Sequence, residues 1–253
     1  MMFTLHQLAF YLHVSFGALS LLMFWIPMFT RKGSLDHKRF GRYFAMAMYT
    51  VSLSGLLMSS MDLLFPLAGH VDSPDQLTEE KLEEIAAEIR EGALFLFSLS
   101  ILVLTTTRHG WLVILQRDNR TALKHPAHVA LCVALGLAAV GLFVQGWRTG
   151  SPLFMGFAVL EAVVSATTLH YIYKSVLSPK EWWIEHLGAL IASGIGAYTA
   201  FFVFGGSRLL SEFLQGPFEG WNLVFWFAPG VIGGIATTVL SRQYRRKFAP
   251  KVA

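Results

Sequence analysis

Long unbroken apolar runs, and not short alternations, organise this chain. Seven of them are bounded by charge or by Gly and Pro: Leu5 to Phe29, Arg42 to Pro66, Ala93 to Gln116, Pro126 to Gly146, Pro152 to Leu177, Trp182 to Phe204 and Asn222 to Ser241. Each holds about twenty residues or more, and a helix rising about 1.5 Å per residue then crosses a hydrocarbon layer about 30 Å thick. The pattern predicts an all-α bundle of seven transmembrane helices occupying residues 1–253 as a single transmembrane domain. One stretch follows a different rule. Thr78 is placed to cap a helix whose first turn holds Glu79 and Glu80, and Leu82, Ile85, Ala86 and Ile89 form an apolar stripe along it. That predicts a separate acidic amphipathic helix at about 78–91, lying on the outer surface. A second outer loop, Gly205 to Trp221, carries Pro217 and aromatic residues suited to a membrane interface.

Composition agrees with the pattern. Of the 253 residues 54% are hydrophobic and 14% charged, whereas a soluble domain carries roughly 25% charge, so a solvated globule is excluded. The net charge of +4 does not point to nucleic acid, because the cations cluster at span ends and form no basic face. Counted by loop, sixteen Lys and Arg fall on one side of the predicted topology and only Lys81, Arg90, Arg148 and Arg208 on the other. By the positive-inside rule the first side is cytoplasmic, which puts the amino terminus outside and the carboxyl terminus inside. The first run lacks a basic leader and a small-residue cleavage site, so it is expected to stay as a span. Cys132 is the single cysteine, and an intramolecular disulfide is excluded.

Ionisable groups inside apolar spans are costly to bury and therefore point to chemistry. His109, His128, His170 and His186 come from four different spans and lie within about 3 to 10 Å of the cytoplasmic ends at about 1.5 Å per residue. Such a layer offers axial imidazoles for haem b or ligands for a metal ion. His13, Asp62 and Glu161 lie deeper or toward the outer side and are the candidates for a proton or solute pathway. Nine residues separate Glu161 from His170, about half a turn out of phase at about 100° per residue, so one pocket cannot receive both. His125 and His128 make a weak H-P-A-H metal spacing at a helix start. The motifs of P-loops, nucleophile elbows, zincins, CxxC sites and covalent haem are all absent.

His37, Lys38, Arg39, Gly41, Arg42 and Tyr43 form a histidine-basic-basic-x-glycine-arginine-aromatic motif after the first span. Together with W-W-I-E-H-L-G-A-L around His186 and F-W-F-A-P-G-V-I-G around Pro229, it resembles a family of bacterial multi-pass inner-membrane proteins of unassigned function. The resemblance implies the bundle fold and a bacterial inner (plasma) membrane address, and supplies no reaction. Physically, His37, Arg39 and Arg42 are candidates to contact a lipid phosphate, an anionic solute or a haem propionate.

Four functions stay open at this point. The leading one is a haem- or metal-binding redox protein passing electrons from a membrane quinol through the inner histidines. The others are a proton-coupled transporter of a small solute, a non-catalytic assembly or sensing protein, and a metal-dependent lipid hydrolase. The last has a topology similar to that of alkaline ceramidases, but the final span holds no histidine.

Overall fold

The computed structural model describes residues 2–68, 70, 76–117, 119–206 and 222–248. Every regular element among them is helical. The long helices are α1 (Met2–Phe29), α2 (Leu35–Leu64), α3 (Glu79–Gln116), α4 (Pro126–Thr149), α5 (Pro152–Tyr173), α6 (Glu181–Ala200) and α7 (Asn222–Phe248). A single π-helical turn, Phe201–Gly206, extends α6, and a 3-10 turn, Ala122–Lys124, precedes α4. Among the described residues seven helices are long and apolar enough to cross a membrane, and the protein is a multi-pass integral membrane protein. The interface loop expected at Gly205 to Trp221 lies, from residue 207 onward, outside the described residues.

Successive helices run in opposite directions. The end of the bundle where α1 begins is called proximal here, and the other end, which carries the basic loops, distal. Local chemistry sets the boundaries. At the distal end Pro27 sits in the last turn of α1, and the carbonyls left open there are taken up by the next loop. Lys32 Nζ donates to Pro27 O at 2.7 Å and Met28 O at 2.8 Å, a cation at the negative end of a helix. Burial lowers the Lys32 pKa from the usual lysine value. Gly33 turns the chain at a φ of +83°, open to glycine without a Cβ clash, and Ser34 Oγ caps α2 by accepting from His37 N at 3.2 Å. At the proximal end the α4–α5 corner uses Gly150 at φ +68° and Ser151 as the cap before Pro152.

Two expectations change. The acidic segment at about 78–91 is not a separate surface helix but the beginning of α3. Thr78 caps it, its Oγ1 accepting from Lys81 N at 3.3 Å, and the helix then runs unbroken through Gly92 for 38 residues. At about 57 Å it exceeds the hydrocarbon thickness of about 30 Å, so its first turns project beyond the bilayer. The anticipated apolar stripe still faces inward, with Ala86 buried and Leu82, Ile85 and Ile89 half-buried, and Arg90 Nε donates to Leu63 O at 3.3 Å. The second change is in boundaries. Helix α2 starts at Leu35 and carries the basic motif on its first turns, α5 stops at Tyr173, and α7 continues to Phe248.

Leu22, Leu137, Val140 and Ile232 turn outward, as a lipid-facing surface requires. The interior is more polar than that surface. Ser52, Ser59, Ser98, Thr105, Thr107, His109, His128, Glu161, Ser165 and Ser193 are all buried. Most of the hydroxyls return to backbone carbonyls of their own helix, as Thr105 does to Ile101 O at 2.7 Å and Ser59 to Gly55 O at 2.7 Å. Two apolar clusters lock the helices. Phe95, Leu142, Phe154, Phe157 and Ala158 pack together in the proximal half, and Val113, Leu123, Cys132, Tyr171 and Ile172 beneath them at the distal end. Helix α3 is central and touches α2, α4, α5 and α6, so polar groups on its different faces meet different partners.

Candidate functional site

Three helices deliver a chain of titratable side chains near the distal end. His109 of α3 is 1% exposed and His128 of α4 fully buried. Their facing atoms, His109 Nδ1 and His128 Nε2, lie 3.2 Å apart, with ring planes 8° from parallel. The other nitrogen of His109, Nε2, is 2.9 Å from Glu185 Oε1 of α6, and Tyr171 of α5 stands edge-on to the His109 ring at a centroid distance of 5.6 Å. Glu185 retains 29% side-chain exposure, so the chain begins at a partly open group and ends in the interior.

The proton positions follow from the donor and acceptor inventory. A carboxylate only accepts, so against ionised Glu185 the proton of His109 sits on Nε2. His109 Nδ1 is then the acceptor, and His128 Nε2 must donate. This leaves the His128 Nδ1 lone pair buried with no hydrogen-bond partner among the described residues. With Glu185 protonated every donor reverses: the carboxylic acid donates to His109 Nε2, His109 Nδ1 donates to His128 Nε2, and His128 Nδ1 carries a proton. The three groups form a wire with two complete hydrogen-bonded states. The second state holds one proton more than the first: a proton taken up at His128 Nδ1 shifts each hydrogen-bonded proton one place along the wire and leaves Glu185 protonated, and release of that proton by Glu185 restores the first state.

A column of buried polar groups continues beyond the wire. Cys132 is one turn past His128 on α4, and its carbonyl accepts from Ser165 Oγ at 2.7 Å. One turn further along α5 is Glu161, fully buried. Its Oε2 accepts from Ser98 Oγ at 2.5 Å, while Oε1 has no partner among the described residues.

The structure divides the anticipated histidine layer. It brings His109 and His128 together but turns His170 outward, where it is exposed. Glu161, half a turn away, points in, as their phase on the helix requires. His186 donates from Nδ1 to Gly110 O at 2.8 Å and stands apart from the wire. The pair does not fit haem b as it is arranged. Two axial imidazoles at iron-nitrogen bonds of roughly 2 Å hold their nitrogens about 4 Å apart across the porphyrin. Here they are 3.2 Å apart, and both nitrogens of His109 are already engaged.

The basic motif is similarly divided. His37 is half-buried and donates from Nδ1 to Pro27 O at 3.1 Å. Arg39 and Arg42 are exposed, and Arg39 Nε donates to Tyr43 Oη at 3.1 Å. The two arginines therefore face outward and not into the bundle interior. His125 is a helix cap, its Nδ1 accepting from Ala127 N at 3.3 Å.

The pathway candidates go to three separate places. His13 Nδ1 lies 2.9 Å from Val51 O and 3.1 Å from Ser54 Oγ, in a seam kept open by Gly55, where a Cβ would come within 3.2 Å of the His13 ring. Glu161 pairs with Ser98, and Asp62 stands at the proximal rim beside His6 and His70. Glu185, which the wire needs, was visible in the sequence beside His186. What reveals its role is the adjacency of α3 and α6, and 76 residues separate it from His109. The chain matches no family model, no curated protein and no solved structure.

Proposed function

We propose that this protein is a proton-coupled membrane protein, of the kind that carries a small solute, in which the Glu185–His109–His128 wire exchanges protons between the distal face and the buried Glu161. The observation that carries this reading is the double engagement of His109. One buried imidazole bonded on both sides by titratable partners can accept a proton at one nitrogen while releasing one at the other. A purely structural histidine needs only one satisfied nitrogen, as His186 and His37 illustrate. Glu161 is the acceptor at the inner end, since its unpartnered oxygen is the place on the column where a proton can be held.

The sixteen cations that the sequence count assigns to one side of the topology support placing the distal end in the cytoplasm. The motif from His37 to Tyr43 supports an inner-membrane address.

Proteoliposomes with an encapsulated pH-sensitive dye and an imposed potassium diffusion potential test the reading. Wild-type protein is expected to acidify or alkalise the lumen according to the sign of the potential, and Glu161→Gln and Glu185→Gln to slow this by at least about tenfold. Wild-type flux no greater than that of protein-free liposomes would overturn it.

A further inference from the structure

At the proximal rim, away from the wire, three side chains from separate segments converge. His6 lies near the start of α1, Asp62 in the last turn of α2, and His70 in the loop that follows. His6 Nε2 is 3.3 Å and His70 Nε2 3.0 Å from the same Asp62 oxygen, and the three potential ligand atoms all lie within 4.8 Å of one another. We propose that His6, Asp62 and His70 form a binding site for a divalent first-row transition metal ion, with zinc as the reference ion. The site is independent of the proton reading, since it shares no residue with the wire.

Four observations carry the proposal. First, the spacing is that of a ligand set: at metal bonds of about 2.0–2.1 Å, tetrahedral geometry separates ligand atoms by about 3.3 Å, so only small side-chain shifts close the shell. Second, the rings present the same nitrogen, and their planes cross at 79° with centroids 5.8 Å apart. The nitrogens therefore converge on a point and the rings do not stack. Third, His6 Nε2 is buried without a hydrogen-bond partner among the described residues: it reaches ion-pair distance from Asp62 but not hydrogen-bond geometry, and a metal would use that lone pair. Fourth, side-chain exposures of 21%, 17% and 36% leave aqueous access.

The donor set decides the chemistry. Two imidazoles and one carboxylate suit zinc and its first-row neighbours, whereas calcium and magnesium require shells of oxygen. Three protein ligands leave a fourth position for water. Binding would tie α1, α2 and their following loop together at this rim.

The test uses full-length, tag-free protein in detergent, stripped with a chelator and titrated with Zn2+ by calorimetry and with Co2+ by visible absorption. The proposal expects one equivalent of zinc per chain, a tetrahedral Co2+ spectrum, and a zinc-dependent rise in Tm. His70→Ala and Asp62→Asn should each weaken binding by at least about tenfold, the loss typical even of indirect metal partners. His13→Gln, outside the set, should keep the wild-type stoichiometry. His70 lies in a loop, so its variant keeps the test valid if replacement of His6 disturbs packing. Wild-type protein that binds less than a stoichiometric amount of zinc, or a His70→Ala/Asp62→Asn variant that binds like wild type, would overturn the site.

Discussion

His109 Nδ1 lies 3.2 Å from His128 Nε2 inside the bundle, so imidazoles from α3 and α4 share one proton position between them. Which ring holds that proton is decided at the other side of His109, where Nε2 meets Glu185 Oε1 at 2.9 Å. Charge at a partly exposed carboxylate is thereby converted into the protonation state of a fully buried nitrogen one residue further in.

Glu185→Gln keeps an oxygen able to accept from His109 but removes the titratable group. Its melting temperature should stay within a few degrees of wild type while proton flux falls. Glu185→Ala leaves the buried His109 donor unmatched and should also cost about 1 kcal/mol of stability, measured by unfolding in detergent.

Gly110 permits the close approach of α3 and α6, for a Cβ there would lie 3.0 Å from Leu190 and 3.1 Å from the Ala189 Cβ. Gly110→Val should push α6 away, lengthening both the His109–Glu185 contact and the His186 bond to Gly110 O. The expected result is reduced flux with every titratable residue present, and an overpacking cost of about 1–3 kcal/mol in unfolding. Wild-type flux in this variant would show that the spacing of the wire does not matter.

Ser98→Ala removes the bond to Glu161 Oε2 and leaves the buried carboxyl without a partner among the described residues. It should lower stability by about 1 kcal/mol. Adding Glu161→Met to that variant should restore stability, since replacing both polar partners by apolar groups costs less than orphaning one of them. A double variant less stable than Ser98→Ala alone would contradict this view of the pair.

The distal end should face the cytoplasm. A fluorescent protein fused at the carboxyl terminus is expected to fluoresce, and a periplasmic phosphatase at the same point to be inactive. The opposite pair of results would reverse the orientation and with it the side from which Glu185 takes protons.

The seven spans were legible because continuous apolar runs of this length have no soluble use. The break expected near Gly92 was not real. An isolated glycine costs a helix only about 1 kcal/mol, and Ala93 and Phe95 are buried immediately beyond it. Helix phase correctly separated Glu161 from His170. Depth placed His109 and His128 in one layer but could not show that α3 lies between α4 and α6, on which the wire depends. Single-span patterns likewise could not reveal that His70, in a loop, would return to Asp62. Such pairings are set by how the helices pack, which periodicity along one helix does not encode.

Proton flux into liposomes, compared between His109→Gln and His170→Gln, tests the central claim most directly. Both variants lose one histidine near the distal end, but only the first interrupts the chain from Glu185 to His128. The wire predicts flux lowered by at least about tenfold in His109→Gln and close to wild type in His170→Gln. Equal flux in the two variants would contradict it.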